Sequence, residues 1–436
     1  MENPAIFWRV TLWILFWGAV GGVVTPRVYA RKDKDISQAG LAGAAIGAAL
    51  GPIGLIPLWI RTPKLTGRLI VLAGLMVIGI FVAAFALADP NNLCVANGGF
   101  VVSQLTNGIV IGIIYGLMAL GLTLIFSILG VVSFAHGEFY MIGGMVAYFL
   151  SVSPFYKELR KSAEALAENT GGILAFVNYV FPPLILLLSA CIVTFVIGVI
   201  FERLFLREMN QGKVERPGEY AILVTFGLAF FLQYFTQALT SANPVKAQRF
   251  WDFPRVKIPE ESGDILKMTA GNITVLREIS IPNPRFTAAV IAVVMLGILM
   301  WFLYRTWTGK ALRAVSQDRQ AAAVTGINPD NMNTLAFGMG AMLAGLSGAS
   351  LVQVFSWLPQ VGIPAAARSF VIIVLGGMGS LPGAFIGGLI VGLVEAAGTG
   401  CIPDTTRAAA YIPAYGMIIL TLVLLLKPTG LFGREL

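Results

Sequence analysis

The chain has 436 residues, 57% of them hydrophobic and only 12% charged, with a formal net charge of +8. A soluble globular domain is not this apolar; the composition fits a polytopic membrane protein, in which repeated apolar runs of about 20 residues each cross a hydrocarbon layer of roughly 30 Å. The basic excess lies in short loops between those runs, where it orients spans, so it does not indicate nucleic acid.

The fold class read from this pattern is all-α, a polytopic transmembrane helical bundle with discontinuous helices. Apolar segments run at about 6–24, 39–60, 69–88, 101–129, 137–151, 173–200, 220–240, 286–304, 334–356, 365–377, 382–398 and 411–427. The first contains a run of signal-peptide length at 10–24, followed by Val28-Tyr29-Ala30, which resembles a cleavage site. Glu2 and Arg9 cancel in front of it and further apolar segments follow at once, so a retained anchor is the preferred reading. Loop 25–38 carries Arg27, Arg31, Lys32 and Lys34, yet alternation places it outside. Either the positive-inside rule is broken there, or 39–60 is re-entrant, with Gly51-Pro52 and Pro57 breaking its helix. Residues 1–98 read as an accessory membrane block of about three apolar segments, and 99–436 as the core. Loop 89–99 has no Lys or Arg and is expected outside.

The next run starts at Asn107-Gly108, reaches Tyr115, and ends in the polar break Ser133-Phe134-Ala135-His136-Gly137-Glu138, which holds the one histidine of the chain. A lipid-facing helix has no reason to hold His136 beside Glu138, so the pair faces protein or water, and this is the first place to look for a transport path. Two readings stay open. The pair is a polar wall meeting a solute's ammonium or carboxylate, or it is a helix break whose freed backbone groups these side chains satisfy; the second is preferred. A proton relay is disfavoured, since no second histidine or chain of carboxylates accompanies the pair. Gln104, Asn107 and Tyr115, at i, i+3 and i+11, share one helix face and either hydrogen-bond between helices or touch solute.

Stretches 201–219 and 305–333 are basic and read as cytoplasmic, as does the tail with Lys427 and Arg434. Alternation then makes 241–285 an external loop, rich in proline and charge, that could fold as a small cap. Segment 305–333 reads as a short amphipathic helix between two spans, with small residues at Ala311, Ala314, Ala321, Ala322 and Ala323. Such a helix seats in a partner's groove and passes on its motion as a rigid element; the plain alternative is a basic loop that sets topology. Gly376-Gly377-Met378-Gly379-Ser380-Leu381-Pro382-Gly383 splits the following apolar stretch. A continuous helix through it is costly, at about 1 kcal/mol per glycine and about 3 kcal/mol for proline, so a tight cytoplasmic turn or a discontinuous helix is expected. Glu395 is either a pore residue or an acid snorkelling to the interface.

Other chemistry is missing from the sequence. There is no G-x-x-x-x-G-K-[ST], so no ATP site of P-loop type is expected, and no nucleophile with a neighbouring base stands out. One histidine and the scattered Cys94, Cys191 and Cys401 give no metal-ligand spacing, so free thiols, no metal and no cofactor are expected.

Several of these motifs in combination carry a resemblance. Gln320-Ala321-Ala322-x-x-x-Gly326 resembles the EAA-type coupling motif of ATP-binding-cassette importer permeases, with Gln in place of Glu. Asn107-Gly108 to Tyr115, the 133–138 break and Met141-Ile142-Gly143 resemble the first half of branched-chain amino acid permeases of the high-affinity importer family. Arg305-Thr306 through Gly326-Ile327-Asn328, the glycine octet with its neighbours Leu375 and Ala384, and Lys427-Pro428-Thr429-Gly430-Leu431-Phe432-Gly433 resemble the second half, over about 100–436 in all. The resemblance implies a permease subunit of the cell inner membrane, paired with a second homologous permease, two cytoplasmic ATP-binding subunits and an extracytoplasmic solute-binding protein. It implies that 311–328, with Arg313, Gln320, Ala321, Ala322 and Gly326, docks on an ATPase, and that hydrophobic amino acids are carried, urea or short amides being the nearest alternative. Residues 1–98 lie outside the resemblance, and loop 241–285 is long for it. Of other classes, a self-sufficient secondary transporter or channel predicts inverted repeats and paired intramembrane charges, and neither is evident; a non-transporting scaffold needs neither the 133–138 break nor the glycine octet.

Overall fold

The computed structural model of the protein describes residues 4–31, 39–52, 54–55, 58, 79, 98–169, 173–210, 214–240, 242–248, 250, 266–269, 272–275, 279–401, 411–426 and 429–433. They fall into two compact units, Met1–Leu105 with Val394–Leu431, and Thr106–Leu393 with Phe432–Leu436.

In the first unit, α1 (Pro4–Arg31) packs on α2 (Ala39–Leu50). The α2 sequence is almost all alanine and glycine, and this lets the backbones touch: a Cβ on Gly21 would overlap the carbonyl of Gly43, and one on Gly47 that of Trp17. Tyr29, Ile46, Leu55 and Leu58 form the core of this pair, with Trp17 against it. The expected break at Gly51-Pro52 is present: α2 stops at Leu50, and Gly51 has φ +58, where a side chain would be strained. Segment 69–88 apart from Gly79, Pro57 and residues 32–38 of loop 25–38 lie outside the described residues.

The second unit opens with α3 (Gly98–Leu129), which enters it at Thr106. Then come α4 (His136–Val152), α5 (Pro154–Asn169), bent 69° from α4, and α6 (Ile173–Phe201). α6 runs into a π-helical turn, Glu202–Leu206, and the short α7 (Arg207–Asn210) before α8 (Pro217–Thr240). After the loop come α9 (Asn283–Arg305), α10 (Trp307–Gln317), α11 (Arg319–Val324), α12 (Pro329–Leu351), α13 (Gly362–Gly376) and α14 (Leu381–Cys401), whose last turns, with α15 (Ile412–Leu426), belong to the first unit. Among the described residues eight helices are long and apolar enough to cross a membrane, and the bent pair α4–α5 makes a ninth. The chain is a multi-pass membrane protein of all-α class.

α12 is the axis of this unit, buried almost throughout from Asn333 to Leu351. It packs on α4 and α6 because glycines bring the backbones together: a Cβ on Gly143 would overlap the carbonyl of Gly345, and one on Gly348 that of Tyr140. Beyond α12 the chain folds back, pinned by Trp357. Its indole is fully buried against Gly144, lies 4.9 Å from the Tyr140 ring and donates to the carbonyl of Met141 at 3.0 Å.

Three local features add to the sequence reading or differ from it. Segment 305–333 is two helices, not one: Asp318 is extended (φ −151, ψ 111), and its carboxylate accepts from the Gln320 and Ala321 amides at 2.9 and 3.0 Å, so it starts a new helix. Loop 241–285 carries a three-stranded antiparallel sheet of β1 (Leu266–Thr269), β2 (Asn272–Val275) and β3 (Ile279–Pro282). Its start pairs with the fold-back after α12, Val245 and Trp357 exchanging backbone hydrogen bonds at 2.7 and 2.9 Å. The π-helical turn at 202–206 has no counterpart in the sequence reading.

Candidate translocation path and coupling segment

α3 ends at Gly130 (φ +70), and six residues later α4 begins inside the bundle rather than at its edge. The His136 Nε2 donates to the carbonyl of Met118, well inside α3, at 2.9 Å, so Nε2 carries a proton. The Phe134 amide donates to Thr225 Oγ1 of α8 at 3.3 Å. The start of α13 comes to the same place. A Cβ on Gly137 would overlap the carbonyl of Gly362, and a Cβ on Gly362 would overlap the Glu138 carboxylate. Two helix N-termini, with their outward-pointing amides, therefore meet at Glu138. Ser133 Oγ, His136 Nδ1 and Glu138 Oε2 are buried and have no hydrogen-bond partner among the described residues. Burying such a group unmatched costs about 1–3 kcal/mol of desolvation, and three of them fall within six residues. His136 thus ties α4 to α3 through Nε2, and its Nδ1 and the Glu138 Oε2 both stay unmatched among the described residues.

Asn107 and Tyr115 lie on the same helix, and each meets a cation that the sequence reading did not single out. Arg285 of α9 donates to Asn107 Oδ1 at 3.4 Å, and the Arg368 guanidinium of α13 lies 5.6 Å from the centre of the Tyr115 ring. Arg368 falls inside the predicted apolar segment 365–377, and a charge within a span was signal enough to find it. Gln104 belongs to the first unit, where its side chain lies against Gly400. Glu395, also in the first unit, is buried, which does not suit an acid snorkelling to an interface.

Segment 305–333 is fixed to two spans, α9 and α12, and α12 in turn to α6. Arg313 donates from Nε to the carbonyl of Leu303 at 3.1 Å and covers the Tyr304 ring at 4.5 Å, binding α10 to the end of α9, where carbonyls lack intrahelical partners. Arg319 pairs with Asp330 at 2.9 Å, binding α11 to α12. Thr334 donates to Glu202 on the π-helical turn, binding α12 to α6; Glu202 is fully buried and its Oε1 has no partner among the described residues. Of the EAA-like residues, Ala322 is buried, while Gln320, Ala321 and Gly326 are exposed beside Val324, an apolar side chain 89% exposed. Gly326 (φ +87) ends α11, with its amide on Ala323 and that of Ile327 on Ala322.

The glycine octet is a tight turn. α13 stops at Gly376; Gly377 (φ +102) and Gly379 (φ +86) reverse the chain, the Ser380 amide returns to the Gly377 carbonyl at 3.0 Å, and α14 starts at Leu381 with Pro382 exposed in its first turn. Gly376 and Gly383 touch backbone to backbone, and the tail closes over the turn, Phe432 donating to the Gly376 carbonyl at 2.9 Å. Among the described residues no group of His, Cys, Asp and Glu could hold a metal ion, and Cys191 is a free, buried thiol.

An all-α bundle with a polar break between two buried helix starts, and a short helical segment tied to two spans, is the build of a membrane transport component. Residues 104–427 match the family described as branched-chain amino acid transport system / permease component, and the chain belongs to that family. It is 28% identical over 336 residues to the high-affinity branched-chain amino acid transport system permease protein LivH of Escherichia coli K12, covering 77% of this chain and 96% of that protein. To the corresponding permease BraD of Pseudomonas aeruginosa it is 31% identical over 337 residues, 76% of this chain and 95% of that one. Over 121 residues it is 33% identical to the fructose import permease protein FrcC of Rhizobium meliloti, 26% of this chain and 34% of that one. No solved structure matches the chain.

Proposed function

We propose that the chain is the membrane-spanning subunit of an ATP-binding-cassette importer that moves branched-chain or other hydrophobic amino acids inward across the cell inner membrane. The observation that carries this reading is the coupling segment, an exposed surface of Gln320, Ala321, Val324 and Gly326 on a scaffold anchored to α9, α12 and α6. Two cytoplasmic ATP-binding subunits hydrolyse ATP, and this chain does not. Their closure pulls on 311–328, and the Arg313, Asp330 and Glu202 ties pass the movement to the spans as one two-state element. A second homologous permease completes the path, and an extracytoplasmic solute-binding protein delivers the solute. Within this chain the path runs past Asn107, Tyr115 and the break at His136 and Glu138, and opens and closes as α4 and α13 move about the glycine turn at 376–383.

The test is affinity purification from detergent with mass spectrometry of what co-purifies, followed by reconstitution of that complex in liposomes. A stoichiometric ATPase, a second permease and ATP-dependent uptake of radiolabelled leucine are the expected result. ATP-independent uptake by the chain alone would replace the reading with a secondary transporter, and ATP-dependent uptake of urea without leucine would replace its substrate.

A further inference from the structure

We infer that Arg285 and Arg368 form a carboxylate-recognising site on the α3 face that carries Asn107 and Tyr115, and that this site holds the solute's α-carboxylate during passage. The inference rests on the reading of the chain as an amino acid permease and names the group by which the path selects its cargo.

Both arginines lie on helices apolar enough to span a membrane, Pro284–Arg305 and Pro359–Gly376. Arg368 lies mid-helix, where ionised side chains are rare, face the bundle interior or a water-filled cavity, and pair with a partner or mark a solute pathway, while Arg285 lies in the first turn of its helix. These two come from different helices and reach residues about two turns apart on a third. Arg285 is 3.4 Å from Asn107 Oδ1 and within electrostatic reach of Tyr115; Arg368 is 5.6 Å from the Tyr115 ring centre and within electrostatic reach of Tyr140. Their charges therefore add on one face of α3.

What Arg285 lacks is an anion. Among the described residues its hydrogen-bond partner is a neutral amide at the long end of the range, and it makes no ion pair. It also stands in the first turn of α9, which has no acidic residue, so its charge adds to the positive end of the helix dipole instead of opposing it. A planar guanidinium presents paired donors that match a carboxylate in two parallel hydrogen bonds. Beside Arg285, Val110 and Ala289 are buried together with Ile113 and Phe286 packed against them, an apolar wall next to the cation. A cation with an apolar shelf suits a hydrophobic amino acid, whose carboxylate and side chain it would hold together; a sugar or urea offers neither.

The experiment uses the complete complex in liposomes. R285Q and R368Q are each expected to lower ATP-dependent leucine uptake about tenfold or more, as the loss of a charge-assisted pair implies, while R285K and R368K fall between those variants and the parent, keeping the charge but not the paired donors. Phe286→Cys, beside Arg285 and with both arginines kept, is combined with replacement of Cys94, Cys191 and Cys401 by Ser and labelled with a water-soluble maleimide in the presence of leucine, leucinamide or inorganic phosphate. Protection by leucine alone is the expected outcome. Equal protection by phosphate would mean a general anion or lipid-headgroup site, and protection by leucinamide, or none at all, would mean that the carboxylate is not bound here; each overturns the inference. If the Gln variants lose ATPase or partner subunits on purification, the labelling result alone decides. A parent complex that takes up no leucine would instead overturn the amino acid reading, and is seen before any variant is made.

Discussion

The second unit contains two glycine-marked breaks, one at 130–135 ahead of α4 and one at 377–380 between α13 and α14, and they are built for opposite ends. The turn at 377–380 satisfies itself: Ser380 bonds back to Gly377, the tail bonds to Gly376, and Ser127 of α3 donates to the Gly379 carbonyl at 3.2 Å. The break before α4 leaves Ser133, His136 and Glu138 each with an unmatched buried atom, where a second helix begins. Natural structures rarely keep such groups without a use. Both breaks show glycine and a polar residue in the sequence; only the first leaves buried polar atoms unmatched among the described residues. The proposed function makes the first break a place where uptake and stability separate, and the second a place where only stability is at stake.

The strongest way to break that comparison is Gly362→Leu. Its Cβ would overlap the Glu138 carboxylate, and the start of α13 cannot move without moving α4. A stability loss of about 3 kcal/mol or more is expected, at the upper end for overpacking, read as a lowered unfolding temperature in detergent. An unchanged unfolding temperature would show that the two helix starts do not meet.

Gly326→Trp comes next and concerns uptake rather than folding. Nothing lies within 4 Å of a Cβ there, so the penalty is the left-handed backbone alone, about 1–2 kcal/mol, confined to an exposed helix end. Expression is expected to hold while ATP hydrolysis continues without uptake. Normal uptake would remove 320–326 from the ATPase contact.

Thr334→Val sharpens the coupling reading. It leaves the Glu202 carboxylate buried with neither oxygen hydrogen-bonded, for a loss of about 1–3 kcal/mol. Adding Glu202→Gln is expected to restore part of that loss in a double-mutant cycle, and purely additive effects would mean that the two residues do not act together.

Glu138→Gln keeps shape and replaces the carboxyl group, so stability is expected to stay within about 1 kcal/mol, while ATP-dependent uptake falls. Equal uptake by the variant would return Glu138 to a structural role. The smallest effect is Gly379→Ala at the second break. A Cβ there meets only Ser127 Oγ at an ordinary 3.7 Å, so backbone strain of about 1–2 kcal/mol lowers the unfolding temperature and leaves uptake per folded complex unchanged. A specific loss of uptake would give the turn a part in transport.

Periodicity and composition were enough for the class of the fold, the main spans of the core and the two breaks, because a bilayer demands long apolar runs and allows polar interruptions only where protein or water receives them. Asn107, Tyr115, His136 and Glu138 were legible as polar residues in apolar surroundings, and Arg368 carried the same signal. Other features were not legible. Asp318 had to be seen capping Gln320 to show that 305–333 is two helices, and Glu202 had to be seen under Thr334 to matter at all. The meeting of Gly137 with Gly362, and of Arg285 with Asn107, joins residues more than a hundred positions apart. Local sequence determined where this chain enters and leaves the membrane, since transfer of each segment depends on its own side chains. Which polar atoms remain unmatched inside it was decided only by tertiary packing, since a hydrogen bond exists or fails according to what another helix brings within reach.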